Sequence, residues 1–188
     1  MIRTPPEAPK DILLWHDREK WVRFTAFLNQ CFTRHGEELC EAVEHAHTLS
    51  SLMAEVSPFI QQNTAAVCPA CEKFCCVNRH GYYDHRDLIY IFALGLRHPD
   101  YREGLEDAGP CQFMSGSGCT LERSVRPFRC NWYFCAALLA HMENGPARPY
   151  REFVDRFREI VDIRSKMLEA FAARTGSLAC QEKDLFSL

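Results

Sequence analysis

The chain has 188 residues, 47% hydrophobic and 25% charged, a balance that excludes a disordered polypeptide and supplies enough apolar side chains for one hydrophobic core. Formal net charge is -3, and no Lys/Arg-rich block is long enough to track a phosphate backbone, which argues against a nucleic-acid partner. The longest apolar run, residues 88–96 (LIYIFALGL), is shorter than the ~20 residues of a membrane-crossing helix, and MIRTPPEAPK carries no apolar segment of a secretory signal, so no membrane association and a cytoplasmic location are expected.

In chain order, Leu14, Trp21, Phe24, Leu28, Cys31 and Phe32 fall mostly three and four apart and predict a helix over 11–35, stopped by Gly36. Leu39, Val43, Ala46, Ser50 and Met53 predict a second helix over 37–56, antiparallel to the first and interrupted at Ser57-Pro58. Residues 62–83 lose periodicity and form a cysteine-bearing loop. Asp84, with Asp87 three residues on, then caps a helix over 88–96. A polar connector follows over 98–110, and residues 111–122 read as a small hairpin around Ser115-Gly116-Ser117-Gly118. Pro127 makes 124–131 irregular, a short buried helix covers 132–142, and Phe153, Phe157, Ile160, Met167, Leu168 and Phe171 mark the clearest helix, 150–174. The expected fold is mainly α: a single helical domain over 1–188, with helical flanks at 11–61 and 150–174 around an irregular cysteine-rich centre, 68–135, holding one small hairpin.

Eleven cysteines are unusual in a chain expected in a reducing compartment, where thiols do not pair into structural disulfides, so metal or redox chemistry becomes the leading explanation. Eight fall in two groups of four, Cys68-x2-Cys71-x3-Cys75-Cys76 and Cys111-x7-Cys119-x10-Cys130-x4-Cys135. A Cys-x2-Cys pair lets two thiolates converge on one ion, and Cys75 can close onto Cys68 and Cys71. Cys75 and Cys76 are harder to place on one tetrahedral ion, because adjacent side chains diverge; either two centres lie close together or one of the pair is spare. Eight thiolates fit two tetrathiolate sites, zinc or iron-sulfur, with ligands exchanged between the groups. Lys73, Arg79, Arg123, Arg126 and Arg129 can offset the negative charge, and Phe74, Phe113, Phe128, Trp132 and Phe134 can exclude water, although each also reads as an ordinary surface or core residue. Cys31, Cys40 and Cys180 lie outside the groups and read as small buried hydrophobes.

The segments CPACEKFCC and CQFMSGSGCTLERSVRPFRC resemble the CxxCxxCC family of zinc- or iron-chelating proteins, over residues 68–135, about a third of the chain. This chain departs from the family pattern in having Glu72-Lys73-Phe74 where two residues including a glycine are usual, and Asn131 where an arginine commonly follows the cysteine. The resemblance implies metal or iron-sulfur binding through Cys68, Cys71, Cys75, Cys76, Cys111, Cys119, Cys130 and Cys135. Distant relatives, the flagellin lysine N-methylases, join such a motif to methyl transfer from S-adenosylmethionine.

The leading functional expectation is a metal-binding protein whose multi-cysteine site carries an iron-sulfur cluster, expected as [4Fe-4S], or zinc, with a redox or electron-transfer role and a redox or protein partner that the sequence does not identify. The alternative is an S-adenosylmethionine-dependent protein methyltransferase-like enzyme, although no Gly-x-Gly-x-x-Gly is present and the x2-then-x3 cysteine spacing reverses that of radical S-adenosylmethionine enzymes. A second alternative, thiol-disulfide exchange, rests on Cys68-Pro69-Ala70-Cys71 and requires that motif at a helix start after a strand. His80 and His85 flank the first group as reserve ligands, with a surface turn the plainer role for His80. His45 and His47 are two apart on a helix and do not share a face. Spacing identifies no catalytic residue.

Overall fold

The structure is a computed structural model that describes residues 14–71, 75–116 and 118–176. It is mainly α, as expected, with one two-stranded hairpin among the described residues. A 3-10 turn at Leu14–His16 leads into α1 (Arg18–Arg34); the rest of the helix expected to start at residue 11 lies outside the described residues. Asp17 is the cap, its side chain accepting from the backbone N–H of Lys20 at 3.0 Å. Trp21, Phe24, Leu28 and Cys31 form the buried stripe.

The second helix is longer than expected. α2 (Cys40–Val67) passes through Pro58 instead of stopping before it. Leu52, Met53, Val56, Ile60 and Asn63 keep the three-and-four spacing across the proline, and Phe59 stacks on Phe153 at 4.8 Å, so packing overrides the one hydrogen bond that Pro58 cannot donate. The first two helices are also not each other's principal neighbours: α1 packs on a later helix, α4 (His85–Ala93), and α2 on the last, α7 (Ala147–Thr175).

After α2 come a 3-10 turn at Cys68–Ala70 and the one-turn α3 (Asn78–Gly81), then α4 (His85–Ala93). Asp84 caps α4 in a full capping box with Asp87, as the spacing implied. Its C-terminus closes with Gly95 at φ 67°, where the Leu96 N–H donates to Ile91 O and the Gly95 N–H to Phe92 O. That left-handed residue is why a glycine stands there.

Strands β1 (Met114–Ser115) and β2 (Gly118–Cys119) pair antiparallel in the register Met114 to Cys119, where the hairpin was expected. The stretch 124–131 is less irregular than expected: a 3-10 turn at Arg123–Val125 and α5 (Arg129–Trp132) bracket the buried Pro127. The helix expected over 132–142 starts later, as α6 (Ala136–Asn144), with Cys135 at its N-cap. The last helix, α7 (Ala147–Thr175), begins three residues before the expected start and buries Phe153, Ile160, Met167 and Phe171.

One core joins α1, α2, α4 and α7, with Leu28, Leu39, Leu88, Ile160 and Met167 wholly enclosed. The cysteine-bearing segments lie at one end of it, between the C-terminus of α2 and the start of α6. Phe128 stacks on Phe157 and Phe134 packs edge-on against Phe153, which fastens that region to α7. No helix of the described residues is long and apolar enough to cross a membrane.

Candidate metal centre

Backbone hydrogen bonds bring the first two cysteine segments together. Cys68 is the C-cap of α2, and the Cys71 N–H closes back on Cys68 O at 3.1 Å. Residues 76–79 pair with 106–112: the Cys111 N–H donates to Cys76 O, the Asn78 N–H to Gly109 O and the Arg79 N–H to Asp107 O. Asn78, 4% exposed, doubles this latch, its Nδ2 donating to Glu106 O and its Oδ1 accepting from the Gln112 N–H at 2.8 Å. Gly81 closes the approach: a Cβ there would stand 2.5 Å from the Cys111 sulfur, so only glycine lets the α3 backbone lie so near.

Cys130 sits in the turn that Pro127 begins, with its N–H on Pro127 O and its sulfur donating to His80 O at 3.4 Å. A buried ion-pair network holds that turn. Asp87 Oδ1 accepts from the Phe128 N–H at 3.1 Å and from Arg164 Nη2 at 3.2 Å, while Asp87 Oδ2 accepts from the Asp84 N–H. The Arg164 guanidinium lies over the Phe128 ring, 4.3 Å from its centre. His80, half-buried rather than a surface residue, holds the Cys75 carbonyl with Nδ1 at 2.8 Å and packs against Tyr133 with the rings tilted at 46°.

None of the eight grouped cysteines is in a disulfide among the described residues; seven are half-buried and Cys76 is exposed. Their mutual influence is not the pairing that sequence order suggests. Burial, then Cys75, Cys135 and Cys71, push the Cys68 thiol up. Cys75 is raised first by hydrogen bonding to Cys76, which is itself lowered by that interaction, and then by burial, against Cys135. Burial, then Cys111 and Cys119, push Cys130 up to about 12, against Arg126. Cys111 is raised by burial and by Cys119. The last cysteine of the second group therefore stands with the first group, and Cys76 faces Cys130, Cys68 and Cys111.

Among the described residues no group of three or more His, Cys, Asp or Glu side chains is arranged to hold a metal ion as it stands. The donor chemistry nevertheless fits a thiolate-bound cation or cluster, because the surroundings contain polar groups that thiolates would satisfy. The Arg123 Nε is enclosed and unpartnered, and burial and Arg126 lower this guanidinium to about 10 in spite of the thiols Cys130, Cys119 and Cys76 beside it. Arg123 Nη1 reaches Oδ1 of Asn131 at 3.5 Å; Asn131 is 0% exposed and its Nδ2 has no partner. Arg126 is committed through Nε to Leu121 O at 2.9 Å, and Arg79 and Arg129 are exposed.

Of the other expectations, Cys31 is buried in the core as read, Cys40 is exposed and so is no buried hydrophobe, and Cys180, Lys73 and Phe74 lie outside the described residues. Sequence reading missed Asn78 and Arg164, and saw in Asp87 only a local cap, because their partners are tens of residues away. No family model matches the chain, and neither a curated protein nor a solved structure is significantly similar to it.

Proposed function

We propose that this protein binds a metal ion or iron-sulfur cluster through cysteine thiolates, and that Cys68, Cys71, Cys75, Cys76, Cys111, Cys119, Cys130 and Cys135 are the ligands. The observation that carries this reading is the half-buried Arg123, its Nε enclosed and without a hydrogen-bond partner, beside the thiols of Cys76, Cys119 and Cys130, which come from three separate segments. An uncompensated guanidinium out of water is costly, and a structure that leaves one beside thiols is built for their negatively charged form. The raised thiols Cys68, Cys75, Cys111 and Cys130 give up their protons at neutral pH only in exchange for a cation, so loading releases protons and strengthens with pH. The resemblance to the CxxCxxCC family supports the same ligand set.

A bound iron-sulfur cluster would supply one-electron transfer, and zinc a structural cross-link. The chain's own part is to orient the sulfurs through the 76–79 and 106–112 latch and the Asp87–Arg164 network, and to keep water away with Phe113, Phe128 and Phe134, all half-buried. The thiol-exchange reading lacks its physical basis: Cys68-Pro69-Ala70-Cys71 follows the C-terminus of α2, the negative end of the helix dipole, whereas that chemistry uses the N-terminus to lower a thiol.

Metal and acid-labile sulfide analysis, with a visible spectrum, on protein purified without oxygen tests the proposal. Iron with matching sulfide, or stoichiometric zinc, is expected in the wild type. Cys71→Ser and Cys130→Ser should lose metal and soluble yield together, and Cys40→Ser, at an exposed thiol, should lose neither. Equal metal content in all three would overturn the ligand assignment.

A further inference from the structure

At the end of α2 opposite the cysteine region, a groove of about 360 Å³ opens between the second half of α1, the start of α2 and the end of α4. Phe32, Val43, Phe92 and Leu96 form its apolar walls, and the exposed Asn29 and Thr33 lie along its edge. The two aromatic walls are fixed from behind: Phe32 stacks on Phe171 of α7 with ring centres 5.7 Å apart, and Phe92 on His98 at 5.6 Å. Leu96 is 43% exposed, and a Cβ on Gly95 beside it would meet nothing within 4 Å among the described residues. A preformed apolar groove that the described residues leave open gains free energy from any apolar segment that covers it.

The chain itself carries such a segment close by. Phe171, the ring behind Phe32, is four residues from the end of α7 at Thr175, about 6 Å along the helix axis. Residues 177–188, SLACQEKDLFSL, follow in the sequence, and Leu185, Phe186 and Leu188 put three apolar side chains into positions 184–188. Residues 177–184 can span up to about 26 Å, enough to carry 185–188 from the end of α7 to Phe92 and Leu96. A segment tethered at this range has an effective concentration in the millimolar range, so a contact too weak to recruit a free molecule is populated within the chain.

We propose that the groove is the docking site of this chain's own residues 184–188, with Leu185, Phe186 and Leu188 against Phe32, Val43, Phe92 and Leu96. The docked segment straps the end of α7 to α1 and α4. The inference is independent of the metal reading, since it uses none of the eight grouped cysteines.

The test uses the full chain, reduced, and a synthetic peptide of residues 177–188 with a fluorophore at its N-terminus, followed by anisotropy. In the wild type the tethered copy holds the groove against the peptide, whereas Phe186→Asp puts a charge where an apolar ring is buried and vacates it. The peptide is expected to bind Phe186→Asp at least about 10-fold more tightly than the wild type. Adding Leu96→Asp, at an exposed groove residue, should abolish that binding, and adding Val161→Asp, at an equally exposed residue outside the groove, should leave it unchanged. The tethered contact is read separately by hydrogen exchange: the amides of 184–188 should exchange more slowly in the wild type than in Leu96→Asp.

Equal peptide binding by the wild type and Phe186→Asp, or no binding by Phe186→Asp, overturns the proposal, and so does equal exchange in the wild type and Leu96→Asp. A wild-type dimer that Phe186→Asp or Leu96→Asp makes monomeric overturns the intramolecular placement and gives the groove to a second copy. If far-ultraviolet circular dichroism shows that Phe186→Asp fails to fold, the exchange comparison, which leaves 177–188 unaltered, decides.

Discussion

Asp87 holds the turn that carries Cys130, through the Phe128 N–H, and its charge state differs from that of Asp84 beside it. Burial, then the Asp84 carboxylate, raise Asp87 to about 7 against Arg164. For Asp84 burial also raises, but Arg164, Arg86 and the Asp87 N–H outweigh it and hold the group low. The folded chain thus keeps a proton on Asp87 that an unfolded carboxyl, at about 3.9, has released. Asp87's contribution is full below about pH 4 and is lost as pH rises through about 7, whereas Asp84's is present above about pH 4 and lost on acidification. In metal-free protein, replacing Asp87 with Asn should remove the part of the melting-temperature decline between about pH 5 and 7 that the wild type owes to this proton. An unchanged slope would mean that Asp87 is ionised throughout. Asp87→Ala is a harsher change, because it leaves Arg164, 12% exposed, with only Asp84 at 3.8 Å and strips the Phe128 N–H of its acceptor. A loss of about 3 kcal/mol in urea unfolding is expected, as for a broken buried ion pair. None of this network except the local Asp84–Asp87 box was legible in the sequence, since hydrogen bonds spanning 41 and 77 residues leave no local pattern.

At the scale of elements, α4, the hairpin and α7 were readable because each is specified locally, by a capping box, a glycine-bearing turn, or a sustained apolar stripe. α2 was not, because a proline is strong local evidence against a helix and the packing that overrides it comes from α7. Pro58 is exposed, so its ring contributes little burial, while the helix goes without a hydrogen bond to Ala54 O. Pro58→Ala should therefore stabilise the protein by up to about 3 kcal/mol. Thermal unfolding measures this, and a neutral or destabilising effect would show that α2 needs the irregularity to aim Cys68. The 132–142 reading erred the other way: its apolar run includes Phe134 and Cys135, which belong to the break before α6, where they face α7 and the thiols.

For the whole molecule, the two local groups of cysteines were legible from their density, and the approach of Cys135 to Cys68 was not, because it depends on how the chain before α6 returns to the end of α2. That return has a consequence for chain continuity. Gly104 is exposed, at φ 70°, with open space where a side chain would be, in the connector between the two halves of the site. Cutting the chain there leaves Cys68, Cys71, Cys75 and Cys76 on one fragment and Cys111, Cys119, Cys130 and Cys135 on the other. The proposed ligand set draws on both fragments, and α2 and α7, the most extensively packed pair, also come one from each. Two separately expressed pieces, 1–104 and 105–188, should reassociate, with zinc strengthening the complex; gel filtration with and without a chelator would detect it. Reassociation that zinc strengthens would make the chain a split reporter, with reassembly as the readout of metal uptake.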